Sequence, residues 1–187
     1  MKALRFIIIS CIIASTLMAC GNRNNPDVEK KQMTKRAQEL ATFLTDNYQK
    51  GDSVFFMHTN LSTNESNKEG FVVDLCDFRE LIDDYEPEEL EAIKQETSGV
   101  FWGYKLVTGL QSKENILYVD ITHRKVDRQI RTDGFFILNG RWDDWDCQMT
   151  ELDNEIRLSS NDTYCVLKKN VGVVSFGDNN EKWELVR

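Results

Sequence analysis

Two histidines, His58 and His123, are the only imidazoles in the chain, so only two side chains have an ordinary titration near neutrality. Each falls in a run with strand-like alternation, and neither stands at a metal-ligand spacing. Set beside a carboxylate inside a pocket, either could move protons. Asp120 is the candidate partner for His123, and Asp74 the one for His58. A histidine on a strand surface or edge leaves the same sequence. The most unusual local composition is Trp142-Asp143-Asp144-Trp145-Asp146-Cys147. Its carboxylates could contribute to a calcium site, which takes about 6–8 oxygens, but they do not follow the calcium-loop pattern. Trp142 and Trp145 could stack on a sugar ring or line a ligand pocket. The same run also suits a strand exit with indoles packed inward and carboxylates in water.

The five cysteines are Cys11, Cys20, Cys76, Cys147 and Cys165, and no C-x-x-C occurs. Neither a thioredoxin-like pair nor a zinc knuckle is indicated. As a nucleophile, Cys147 would need a base and an oxyanion site, and neither is present locally. The chain has no glycine-rich phosphate loop, no G-x-S-x-G and no H-E-x-x-H. The sequence therefore implies no cofactor and no catalytic residue, and it favours a protein that binds over one that catalyses.

Lys2 and Arg5 precede an uncharged run, Phe6 to Ala19, of 14 residues. A spanning helix needs about 20 apolar residues, so the run fits the core of a secretory signal instead. It ends Leu17-Met18-Ala19-Cys20-Gly21. This resembles the lipobox of bacterial lipoproteins, in which a leucine stands three before a cysteine and a small residue just before it. The resemblance implies that residues 1–19 are removed. Cys20 would then carry palmitate-type acyl chains and begin the mature chain. Stable anchoring takes two or more such chains. Gly21 is not the aspartate that typically retains lipoproteins in an inner membrane, so in a cell with two membranes the outer one is expected. Residues 20–25 form the tether and span about 20 Å at most.

Removing Lys2 and Arg5 leaves 21 basic and 31 acidic residues in the mature 168, a net charge of −10. That length suits one domain with a real core. The acidity argues against nucleic acid as a partner. Once Cys11 and Cys20 are set aside, three cysteines remain. An envelope location permits one disulfide, for which Cys147–Cys165 is favoured because both fall in the C-terminal β region. Three buried small apolar residues are the other reading. Asp52-Ser53-Val54 resembles the D-[ST]-aliphatic tripeptide that is O-glycosylated in some bacterial envelopes, with Ser53 the acceptor.

The positioning elements follow in order. Pro26 to Lys50 reads as a helix, with Met33, Ala37, Leu40, Ala41, Leu44 and Tyr48 on one face and Lys50-Gly51 as the stop. Ser53–Thr59 and Gly70–Cys76 read as strands around a polar loop, Asn60–Glu69. Asp77–Glu96 reads as acidic helices. The span Asp74–Glu96 holds nine carboxylates between Asp74 and Glu91; it could dock a basic partner, but it better suits the solvated face of two short helices. Phe101–Val107, Ile116–Thr122 and Gln129–Leu138 alternate like strands, with turns at 111–115 and 124–127. Asn139-Gly140 is the strongest hairpin signal. Residues 155–187 hold three or four short strands, with turns near Asn170 and at 177–180.

This order predicts a single α+β domain over 26–187, with 151–187 as a β-rich extension. It resembles NTF2-like and cystatin-like folds, in which a curved antiparallel sheet wraps a long N-terminal helix. Phe135-Phe-Ile-Leu-Asn-Gly-Arg-Trp142 resembles the closing hairpin of NTF2-like lipoproteins. A lipocalin-like β-barrel is the alternative. The expected function is that of a lipid-anchored envelope protein that binds a small apolar molecule or another envelope protein. An enzyme using an NTF2-like pocket and a purely structural or inhibitory module are the alternatives.

Overall fold

The structure, a computed structural model, describes residues 26–81, 102–126, 129–140 and 147–186. Two compact units divide the chain, residues 1–36 and 37–187. Helix α1, Pro26–Ala41, begins in the first and ends in the second. Pro26 opens it where a missing N–H is harmless. Asp27 and Glu29 set negative charge at the positive end of the helix dipole.

The expected helix to Lys50 stops at Ala41. The N–H groups of Thr42, Phe43 and Leu44 bond carbonyls only three residues back. A single 3₁₀ turn then follows at Thr45–Asn47. Burial explains the change: Phe43, Leu44, Thr45 and Tyr48 are all buried, and consecutive residues of an α-helix cannot all face one side. Gly51, at φ +97°, ends this segment, but it ends a turn rather than a helix.

Ten strands follow. They are β1 Ser53–Asn60, β2 Ser66–Glu80, β3 Trp102–Gln111, β4 Ile116–Val126, β5 Gln129–Leu138, β6 Gln148–Leu152, β7 Glu155–Ser160, β8 Thr163–Lys168, β9 Gly172–Gly177 and β10 Glu181–Leu185. They form one antiparallel sheet in the order β5-β4-β3-β2-β1-β10-β9-β8-β7-β6. Sequence neighbours pair throughout, β10 returns to β1, and only β5 and β6 are left unjoined. The sheet rolls until β5 approaches β6 and β7, giving a nearly closed up-and-down barrel. Phe56, Phe71, Leu106, Leu117, Ile156, Leu167 and Trp183, from seven strands, meet Leu40, Phe43 and Leu44 in one core.

The expected helix wrapped by an open NTF2-like or cystatin-like sheet is therefore not what forms. The lipocalin-like barrel is the nearer of the two expectations. The reason lies in residues 155–187. They do not decorate an open sheet but continue it and bring β10 against β1.

Four local expectations change as well. The loop expected over Asn60–Glu69 is a tight turn, because Asn60 Oδ1 accepts from the backbone N–H of Ser62 and Thr63. Ser66–Glu69 already belong to β2. Asp77–Glu80, expected as the start of a helix, end β2, where Phe78 packs on Tyr104 with ring centroids 5.7 Å apart. The rest of that acidic span lies outside the described residues. Arg124–Val126, expected as a turn, belong to β4. Asn139 and Gly140 do adopt the positive φ values of a tight turn, 55° and 73°. They do not close a hairpin, since β5 and β6 are the two edges of the sheet. Asn139 instead holds the β3–β4 turn: it donates Nδ2–H to Asn115 Oδ1, and its Oδ1 accepts from the Ile116 N–H.

Candidate functional site

The two ends of the barrel differ in chemistry. At the end where β2 stops, residues 42–48 are tied in. Asn170 donates its N–H to Thr42 O, the Cys76 thiol reaches Thr45 O and Tyr48 O, and Val173 donates its N–H to the Tyr48 hydroxyl oxygen at 2.7 Å. Burial pushes the Tyr48 hydroxyl well above its ordinary pKa, against the opposing pull of that Val173 bond. Gly172 is obligatory beneath it, because at φ +87° a side chain would be strained and would meet the Tyr48 ring.

The opposite end is polar and open. A cleft of about 400 Å³ lies between the starts of β2 and β10 and the β3–β4 turn. Its keystone is Glu69. The carboxylate accepts from Trp183 Nε1–H at 2.8 Å, from Asn115 Nδ2–H at 2.8 Å and from the Ser112 hydroxyl. Burial alone would raise the Glu69 carboxyl. The bonds from Asn115, Ser112 and Trp183, together with nearby His58, outweigh it and hold the carboxyl below its ordinary value. Trp183 is 1% exposed. It lies between Phe176 on one face, at 5.1 Å, and His58 on the other, at 4.4 Å. A column of stacked rings therefore runs from the cleft into the core.

His58 thus lines a cavity, but not with Asp74. Its Nδ1 meets Asn67 Oδ1 at 3.1 Å, and its Nε2 lies 3.6 Å from Glu181 Oε1. Asp74 falls at the β2 bulge, against Gly109. His123 and Asp120 are also separated, because strand alternation puts them on opposite faces of β4. His123 points inward and is 4% exposed, with Nδ1 2.8 Å from the Thr132 hydroxyl. Asp120 is on the outer face with Lys105 Nζ at 3.5 Å and the Thr122 hydroxyl at 3.0 Å. Burial raises its carboxyl despite Lys105 and Thr122.

A second cleft, of about 540 Å³, follows the seam between β5 and β6. Asn139 donates its N–H to Ile116 O. Ladder alternation then turns the backbone of 137, 135, 133 and 131 toward β4, and that of 136, 134, 132 and 130 toward the seam. Near the polar mouth Cys147 bridges the gap, its sulfur approached by the backbone N–H groups of Phe136 and Ser159. At Gly134 the two sides touch: a Cβ there would stand 2.7 Å from Leu158 Cδ2 and 3.3 Å from Met149 Sδ. The cleft is lined on both sides of this contact, by Thr132 and Asp133 and by Phe135 and Cys147. Arg124 holds Asp133 at 3.2 Å across the outer face. Its Nε–H is out of water with no acceptor among the described residues.

Cys147 and Cys165, the favoured disulfide pair, are free thiols in the structure, as is Cys76. Burial raises the thiol pKa of both Cys147 and Cys165. Ser53, the expected acceptor, is exposed at the first residue of β1. Cys20, Trp142 and Trp145 lie outside the described residues. No cluster of three or more His, Cys, Asp or Glu suited to a metal occurs among the described residues. No described helix is long and apolar enough to cross a membrane. Sequence reasoning missed Glu69, Ser112, Asn115, Glu181 and Trp183 at the mouth, and Arg124, Thr132 and Gly134 at the seam. Of the sequence candidates, His58 falls at the mouth and Cys147 at the seam.

The fold and its two clefts define the class as a nearly closed, ten-stranded up-and-down β-barrel. No protein-family model, curated protein or solved structure matches the chain.

Proposed function

We propose that the chain is a lipid-anchored envelope protein, acylated at Cys20, whose barrel binds an extended segment of another envelope protein along the β5–β6 seam. The carrying observation is the seam itself. Residues 130 and 132 turn their backbone N–H and C=O groups away from β4, and Thr132 lines the open cleft. Arg124 Nε–H beside it has no acceptor among the described residues. Added strand pairing satisfies such groups with main-chain bonds, and alternate side chains supply the specificity. Below Gly134 there is room for this on β5; at Gly134 the contact with Leu158 and Met149 excludes it. The core is filled by the Phe56, Phe71 and Phe176 rings, packed edge to face at 5.1–5.7 Å. That packing favours a partner at the seam over an apolar molecule held inside.

A photoreactive phenylalanine at Ile130, which is 47% exposed, tests the proposal in cells. One discrete adduct with an envelope protein is expected, absent when the reactive residue stands at Glu114. A diffuse or missing adduct at Ile130 contradicts the seam. The enzyme alternative is favoured by one observation, His58 lying 3.6 Å from Glu181 in a cleft. It requires turnover of a small substrate that His58→Ala abolishes.

A further inference from the structure

We propose that the outer face of β1, β2 and β10 rests against the lipid bilayer, which places the seam on the side of the barrel that faces away from it. The proposal rests on the acylated Cys20 and adds which surface the anchor brings to the membrane.

Strand alternation sorts these residues. Phe56 is wholly buried, so its neighbours Phe55 and Met57 point outward; Phe71 and Val73 are wholly buried, so Val72 between them points outward too. After the bulge at Val73/Leu75, Leu75 joins the same outer surface. Phe55 is 43% exposed, Met57 38%, Val72 47% and Leu75 38%. Four of the ten large apolar side chains that stand exposed among the described residues therefore share the outer surface of two adjacent strands. Solitary exposed apolar residues are ordinary, whereas a contiguous group marks an interaction surface.

The local detail suits a lipid interface. Phe55 lies opposite Gly70, and its ring comes 3.1 Å from where a Gly70 Cβ would stand. The ring can lie along the sheet only because that side chain is absent. Lys68 sets its ammonium 4.3 Å from the ring centroid, giving an apolar stem with a charged tip, the form that reaches from hydrocarbon to headgroup. Glu184, opposite Met57, is neutralised by Lys182 at 2.7 Å. The tether selects the occupant. Residues 20–25 reach about 20 Å and the helical residues 26–36 about 16 Å more, so the barrel unit stays within about 36 Å of the bilayer. A surface held at that range meets lipid at high effective concentration. In the strand order, β2, β1 and β10 occupy the middle and the seam joins the two ends, so in a nearly closed barrel they lie on opposite sides.

The test uses the full-length acylated protein in vesicles of phosphatidylethanolamine and phosphatidylglycerol that carry a diazirine-bearing phospholipid. Cross-linked peptides are mapped by mass spectrometry. Cross-links are expected in the peptides containing Phe55 and Val72. The double variant Phe55→Ser/Val72→Ser should lose them several-fold while still floating with the vesicles and keeping the wild-type circular dichroism. Cross-links confined to the N-terminal peptide, or concentrated at the seam, would overturn the proposed face and leave the anchor standing. A wild-type protein without acyl mass that fails to float would overturn both.

Discussion

Glu69 carries more of the polar mouth than any other single side chain. Removing it leaves the indole N–H of Trp183 without its acceptor, and Trp183 is 1% exposed. An unsatisfied buried donor costs about 1–3 kcal/mol, so Glu69→Ala should lower the unfolding free energy by about that amount in urea titration. Glu69→Gln should cost less at neutral pH, and its difference from wild type should itself depend on pH. The folded carboxyl lies below its ordinary 4.5. Its stabilising contribution is therefore present above that value and lost as the pH falls through the lowered one. The gap between wild type and Glu69→Gln should close on acidification; a gap constant down to the acid transition would contradict the role given to its charge. Asp120 acts with the opposite sign. Burial raises its carboxyl, so its ionisation costs stability as the pH rises through the raised value, and its presence leaves the Glu69 comparison intact. None of this was legible in the sequence, where Asn60–Glu69 is a polar run. Composition registers polarity but not that Glu69 faces inward to a tryptophan 114 residues away.

At the scale of the element, sequence patterns located most strands and misjudged what joins them. The period-two runs at β3, β4 and β5 were readable because the inward face of each is mostly apolar, as with Leu106 and Leu110, Leu117, Val119 and Ile121, and Phe136 and Leu138. The end of α1 was not, because tertiary burial of Phe43, Leu44 and Tyr48 overrode a helical pattern that continued past it. Asn139-Gly140 has the φ values its residue types demand. A turn motif cannot say which strand comes next in the sheet, so the seam was invisible. It also gives β5 a testable asymmetry. Ile130 turns its N–H away from β4, so proline there removes no ladder bond and is tolerable on an edge. Ile130→Pro should leave the circular dichroism unchanged and abolish the partner adduct, now read with the photoreactive group at Gln129. Equal adduct in Ile130→Pro would show that the partner does not pair with the β5 backbone.

For the whole molecule, the circular strand order matters most. Because β10 closes on β1 and β5 and β6 stay apart, one side of the barrel is continuous sheet and the other is an opening. In the proposed arrangement, a lipid anchor and the apolar outer face on the continuous side would leave the opening free for a partner. Both the location and the orientation depend on acylation of Cys20, so that is the claim to test most directly. The intact mass of the protein taken from its native membrane should be measured for wild type beside Cys20→Ala, with and without reductant. The expected wild-type mass begins at Cys20 and carries acyl chains that the variant lacks. The same spectra show whether the chain holds one disulfide, as a two-dalton rise on reduction, and whether it bears sugar. A soluble wild-type chain without acyl mass would contradict the membrane anchor and, with it, the proposed place of the barrel in the envelope.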